Sequence, residues 1–174
     1  ARLASLGAER GGHVGLAVAP GVGVGLATST GAIAVDATAD PVDVVRAIDV
    51  ELRPRWVLWS QDTAHLLVAE GLRIATAWDL AAVHRLLFGG WRAEPGTIWA
   101  RLHDLPVADI PTLGPVDLFS QPDDADADAD DPVRADGLLR AEWTGGGWAD
   151  TTERLARWAS LAVTAAEAQQ QRLA

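Results

Sequence analysis

His13-Val-Gly-Leu-Ala-Val-Ala-Pro-Gly-Val-Gly-Val-Gly-Leu-Ala27 is the stretch whose reading decides the fold. Residues 13–19 and 22–27 are short apolar runs rich in Val, Leu and Ala, and Pro20-Gly21 between them is a turn signal. Thr30-Gly31 marks a second turn, and residues 32–35 supply a third run, so the segment predicts an antiparallel meander of three strands. The period then changes. Asp40-Pro41 is an N-cap and first-turn pair, and Val44, Val45, Ile48 and Leu52 follow at helical spacing.

Beyond the meander, Arg55-Trp-Val-Leu-Trp-Ser60 predicts a short buried strand. A helix over Asp62–Glu70 follows, stopped by Gly71, then a strand at Leu72–Thr76. Asp79 caps a helix running to Phe88 with Leu80, Val83 and Leu87 on one face, ended by Gly89-Gly90. A helix around Thr97–Asp104 turns Ile98 and Leu102 inward. From Leu105 to Gly147 the periodicity dissolves. Five prolines (Pro106, Pro111, Pro115, Pro122, Pro132) prevent long helices in a Pro/Asp-rich loop insertion over about 105–147, and the Asp/Ala run Asp123–Asp131 within it predicts a solvated, poorly ordered loop. The run holds neither the turn glycine nor the distal Glu that a calcium loop needs. Asp150-Thr-Thr-Glu153 reads as a capping-box-like start with Asp in first place, and Leu155, Trp158, Leu161 and Ala165 form the stripe of a long last helix. A meander followed by helix–strand–helix–strand and then helices predicts an α/β class, with a mixed sheet flanked by helices.

Composition narrows the function. The 174 residues suit one domain, residues 1–174, with 49% hydrophobic residues, enough for a core without a staple. All 14 basic residues are Arg, and Lys, Asn, Tyr, Met and Cys are absent, a bias expected of a GC-rich source genome. Thiolate metal sites, disulfides, Schiff bases and P-loops are thereby excluded. A net charge of −10 argues against tight autonomous binding to a phosphate backbone. With no 20-residue apolar span and no basic-then-apolar leader, the expectation is a cytoplasmic protein with no membrane partner.

Short motifs announce no enzyme. His13, His65, His84 and His103 are isolated from one another and from other ligands at metal spacing. No Gly-x-Ser-x-Gly occurs, and Gly21, Gly23 and Gly25 alternate inside a strand instead of opening a helix. Gly145-Gly146-Gly147 precedes a helix, but Asp150 in the first turn would repel an anion. Of the eight tryptophans, Trp56, Trp99 and Trp158 sit at core spacings. Trp91, Trp143 and Trp148 lie near loops, where stacking on a base or a partner stands beside plain packing.

In its element order the chain resembles the 3′–5′ exonuclease domain of family A DNA polymerases, which implies a ribonuclease H-like fold. His13 to Gly21 is similar to that family's second strand and its Pro-Gly turn. Trp56–Leu67, followed by Gly71 to Leu80, resembles the second exonuclease motif and the strand leading to a "Phe-Asp-Thr"-like helix start. Leu155-Ala-Arg-Trp158-Ala-Ser-Leu-Ala162 resembles the third motif, Tyr-x-x-x-Asp, and Ile98–Pro106 a Ser-Leu-Ala-x-x-x-Leu element. Arg53 to Trp59 and Trp78-Asp79-Leu80 are also similar to segments of actinobacterial-type polymerase-related proteins.

The resemblance implies two divalent ions, Mg2+ or Mn2+, held by four carboxylates that activate a water for phosphodiester hydrolysis. Transferred residue by residue, the first motif's Glu falls on Arg2, its Asp precedes the chain, and the second motif's Asp falls on Asp62. The third motif's Tyr and Asp become Trp158 and Ala162. One carboxylate of four survives, and hard cations need several oxygen ligands. Asp62 also has a purely local role available, as an acid in the first turn of a helix. The expectation is an exonuclease-like domain with no catalytic residues and no cofactor, its partners the polymerase domain of the same parent chain and single-stranded or primer-template DNA in the nucleoid. Two alternatives stand beside it: an active nuclease using Asp36, Asp40 or Asp43, and an acidic protein-interaction module with exposed Trp anchors.

Overall fold

A computed structural model describes residues 2–113 and 130–174. Pro115, Pro122 and most of the Asp/Ala run lie outside the described residues. The strands are β1 (His13–Ala19), β2 (Gly23–Thr28), β3 (Gly31–Asp36), β4 (Arg55–Leu58) and β5 (Ala77–Asp79). The helices are α1 (Arg2–Ser5), α2 (Pro41–Leu52), α3 (Gln61–Ala69), α4 (Leu80–Phe88), α5 (Pro95–Leu102), α6 (Ala141–Thr144) and α7 (Thr152–Leu173). One five-stranded sheet has the order β3-β2-β1-β4-β5. β2 runs antiparallel to β1 and to β3, whereas β4 is parallel to β1 and to β5. The protein is thus α/β, with a mixed sheet flanked by helices, as the periodicity predicts.

The alternation of side-chain size along the central strands decides which helix covers which face. Val14, Leu16 and Val18 of β1, Val24 and Leu26 of β2, and Trp56 and Leu58 of β4 point to one side, where Val42 and Val45 of α2, Leu67 of α3 and Leu3 of α1 meet them. The other side of β1 and β2 carries Gly15, Ala17, Ala19, Gly25 and Ala27. On that shallow face lies α7, 22 residues long, presenting its own small residues Ala159, Ala162, Ala165 and Ala166. A Cβ on Gly15 would stand 2.2 Å from the carbonyl oxygen of Ala159, and one on Gly25 2.1 Å from that of Leu155. The helix backbone therefore rests directly on the strands. The alternate glycines that argue against a dinucleotide loop include the positions that admit this helix.

Three sequence expectations are corrected. Leu72–Thr76 is not a strand: Gly71 at φ +76° turns the chain so that the Leu72 amide donates back to the Leu67 carbonyl, and pairing with β4 begins only at Ala77. The cap of α7 is Thr151, whose hydroxyl accepts from the Arg154 amide, not Asp150. Leu161 is only half-buried, and Ala162 and Val163 occupy the face assigned to it. The Asp/Ala run read as a poorly ordered loop lies almost wholly outside the described residues, while the segment 130–147 after it is packed. Leu138, Leu139 and Trp143 are buried, a Val133–Leu139 bridge closes a turn, and the Gly137 carbonyl accepts from Trp99 Nε1 at 2.9 Å. Prolines prevent long helices there but not burial of three large side chains. Among the described residues no helix is long and apolar enough to cross a membrane.

Candidate functional site

The cleft that holds the motif positions forms where β4 ends beside β1. After Leu58 the chain continues as Trp59-Ser60, and Ser60 caps α3: its hydroxyl accepts from the Asp62 amide at 3.2 Å and donates to Asp62 Oδ2 at 2.8 Å. Across from this turn, α7 brings Trp158, buried to 3% exposure, against Trp59, the rings stacked at 4.6 Å. Trp59 Nε1 donates to the Trp158 carbonyl at 3.2 Å, which fixes the pair. Trp148, from the 3-10 turn Gly147–Ala149, lies parallel to the other face of Trp158 at 6.0 Å, and Trp143 packs behind at 6.3 Å.

Arg154 sits over Trp143 at 5.0 Å and is held by Glu142 at 2.5 Å, Asp130 at 3.3 Å and Asp150 at 3.5 Å. The hydrogen bond that Arg154 donates to Glu142, set against some desolvation, raises the guanidinium pKa further above its usual value. The stack lines a cleft of about 490 Å³ whose rim adds Asp62, Thr63, Arg85, Trp91 and Glu94.

Of the four positions transferred from the resemblance, the structure brings two together: Asp62 and Trp158 both line this cleft. Ala162 lies one turn further along α7, fully buried in the core on that face. Arg2 is apart from them. It lies in α1, a helix and not a strand, whose Leu3 belongs to the core on the opposite face. The resemblance puts a catalytic strand ahead of His13, but among the described residues none exists, and His13–Ala19 is itself the central strand. Its side facing α7 carries Gly15, Ala17 and Ala19, with no carboxylate.

The residues present do not fit a pair of divalent ions. Among the described residues no group of three or more His, Asp or Glu is placed to hold a metal ion. The acids that might have substituted are occupied elsewhere. Asp36 accepts from the amide and hydroxyl of Thr38, which lowers its pKa below the usual carboxylate value. Asp40 caps α2 through the Val42 amide at 2.7 Å, and Asp43 faces Arg46 at 3.6 Å. None of the three lines the cleft.

Three of the four histidines pack against aromatic rings, and His65 is exposed on α3. His13 meets Trp78 edge-on at 5.6 Å, and His103 packs on Trp99 at 4.1 Å. His84 is buried on α4 against Phe88, and desolvation, with Arg101 and Arg85 nearby, lowers its pKa from 6.5.

Sequence reasoning missed the tryptophan stack, because Trp59, Trp148 and Trp158 are brought together only by the packing of α7. Trp143, a stacking candidate from its loop position, is fully buried. Trp91 is 75% exposed. Comparisons with protein families, curated proteins and solved structures find no match to this chain.

Proposed function

We propose that this chain is an exonuclease-like domain without nuclease chemistry, part of a DNA polymerase related to family A. In this reading it abuts the polymerase domain and guides single-stranded DNA during replication or repair. The order of strands and helices and the mixed sheet are compatible with a ribonuclease H-like fold. One observation carries the loss of chemistry: stacked tryptophans line the cleft beside Asp62, and the facing side of β1 holds only Gly and Ala. A two-metal site needs several oxygen ligands around each ion, and this cleft's rim offers only the carboxylates of Asp62 and Glu94, not grouped with a third ligand among the described residues. Aromatic faces combined with arginines suit the holding of unpaired bases instead.

The test is incubation of the chain with 5′-labelled single-stranded DNA and Mg2+ or Mn2+. Full-length substrate is the expected result. Shortening from the 3′ end that needs the metal and disappears in Asp62→Ala overturns the reading.

A further inference from the structure

On the far side of Trp91 from the cleft, between α4 and α5, lies a second pocket of about 300 Å³, lined by His84, Phe88, Trp91, Arg92, Thr97 and Arg101. Its charge is unusual for this molecule. Acids outnumber bases 24 to 14, yet Arg92 and Arg101 of this pocket, like Arg85 of the neighbouring cleft, are exposed, and none of them makes a salt bridge among the described residues. By contrast Arg154 meets three carboxylates and Arg172 meets Asp104 at 2.9 Å. Among the described residues Arg85 Nε donates to the Trp91 carbonyl, at 3.4 Å, and the Arg92 guanidinium lies over one face of the Trp91 ring, 5.3 Å from its centre. Glu94, the acid nearest in sequence, accepts from the Thr97 hydroxyl at 3.3 Å; it lines the first cleft and a groove it shares with Arg92, but not this pocket, and makes no salt bridge with either arginine. Trp91, following Gly89-Gly90, leaves three quarters of its surface in solvent.

We propose that this pocket binds single-stranded DNA, with a base stacked on Trp91 and the adjoining phosphates held by Arg92 and Arg101. The inference rests on the DNA-guiding part of the proposed function and names the surface that performs it. Arginines without counter-ions supply the charge that a phosphodiester neutralises, and a free indole face accepts any unpaired base. Paired bases present no free face, so duplex DNA is the poorer ligand. His84, buried in the pocket wall, has its pKa lowered by burial and by the nearby Arg101 and Arg85.

The experiment measures anisotropy of a labelled oligo-dT of about 20 nucleotides against the full chain across a salt series. Binding tighter than to the corresponding duplex is expected. Trp91→Ala weakens it about ten-fold and Trp91→Phe keeps most of it, and Arg92→Ala with Arg101→Ala flattens the log K against log salt slope by about 1.4. All the substituted side chains are exposed, so the fold is kept. Binding unchanged in these variants but lost in Trp148→Ala overturns the pocket and leaves DNA guidance standing. Displacement by poly-glutamate as effective as by unlabelled oligo-dT overturns the pocket by showing that bases are not read. No binding of oligo-dT at 50 mM salt overturns both.

Discussion

Gly15 and Gly25 set the distance between α7 and the sheet, because a methyl group at either would meet helix backbone, which cannot rotate away as a side chain can. Gly15→Ala and Gly25→Ala should each cost about 3 kcal/mol, read from urea unfolding, at the upper end of overpacking effects. An effect within ~0.5 kcal/mol at both positions would show that the helix stands off the strands. Gln169 works in the opposite sense. Wholly buried, it accepts from Trp78 Nε1 at 2.8 Å and donates to the Leu80 carbonyl at 2.9 Å, tying α7 to β5 and α4. Gln169→Leu removes both bonds, leaves the half-buried Trp78 Nε1 without this partner, and should destabilise by roughly 2 kcal/mol. A variant as stable as the parent would mean that water reaches both groups. Neither role was legible beforehand: a Gln near the end of an amphipathic helix reads as a surface residue until the elements facing it are known.

At the scale of elements, the meander, α2 and α4 were legible because local chemistry agrees with tertiary demand. Asp40 and Asp79 cap where they stand, and Gly89 closes α4. The start of α7 was misplaced by one residue because Asp150 and Thr151 are both good caps and only the backbone decides. Thr151→Ala should therefore cost about 1 kcal/mol, whereas Asp150→Ala, which removes an exposed carboxylate 3.5 Å from Arg154, costs at most ~0.5 kcal/mol. Thermal unfolding of the two variants checks this, and the reverse order would restore the cap to Asp150. β5 was misplaced for a related reason. Three residues of pairing give almost no periodic signal, and the apolar Leu72 before them is buried by α3's turn and not by a ladder. The candidate site was legible only at Asp62 and Trp158. What surrounds them depends on residues 143–148, whose composition reads as loop.

For the whole molecule, buried histidines make stability depend on pH in a definite direction. His84, and His13 with it, are held below the ordinary value of 6.5, chiefly by desolvation. Below about pH 6.5 the unfolded chain takes up protons that the folded chain refuses, so stability falls on acidification and is fully present above that pH. The urea midpoint should drop between pH 7.5 and 5.5, with a shallower drop in His84→Leu. An equal drop in that variant would assign the effect to other groups.

The same scale holds the central claim, that a sheet-and-helix scaffold of nuclease type persists while its metal-holding acids are gone. Crystals of the chain soaked in Mn2+ test it most directly through anomalous scattering. The account predicts no ion in the cleft between Asp62 and Trp158, and its contradiction would be a pair of ions about 4 Å apart bridged by the Asp62 carboxylate.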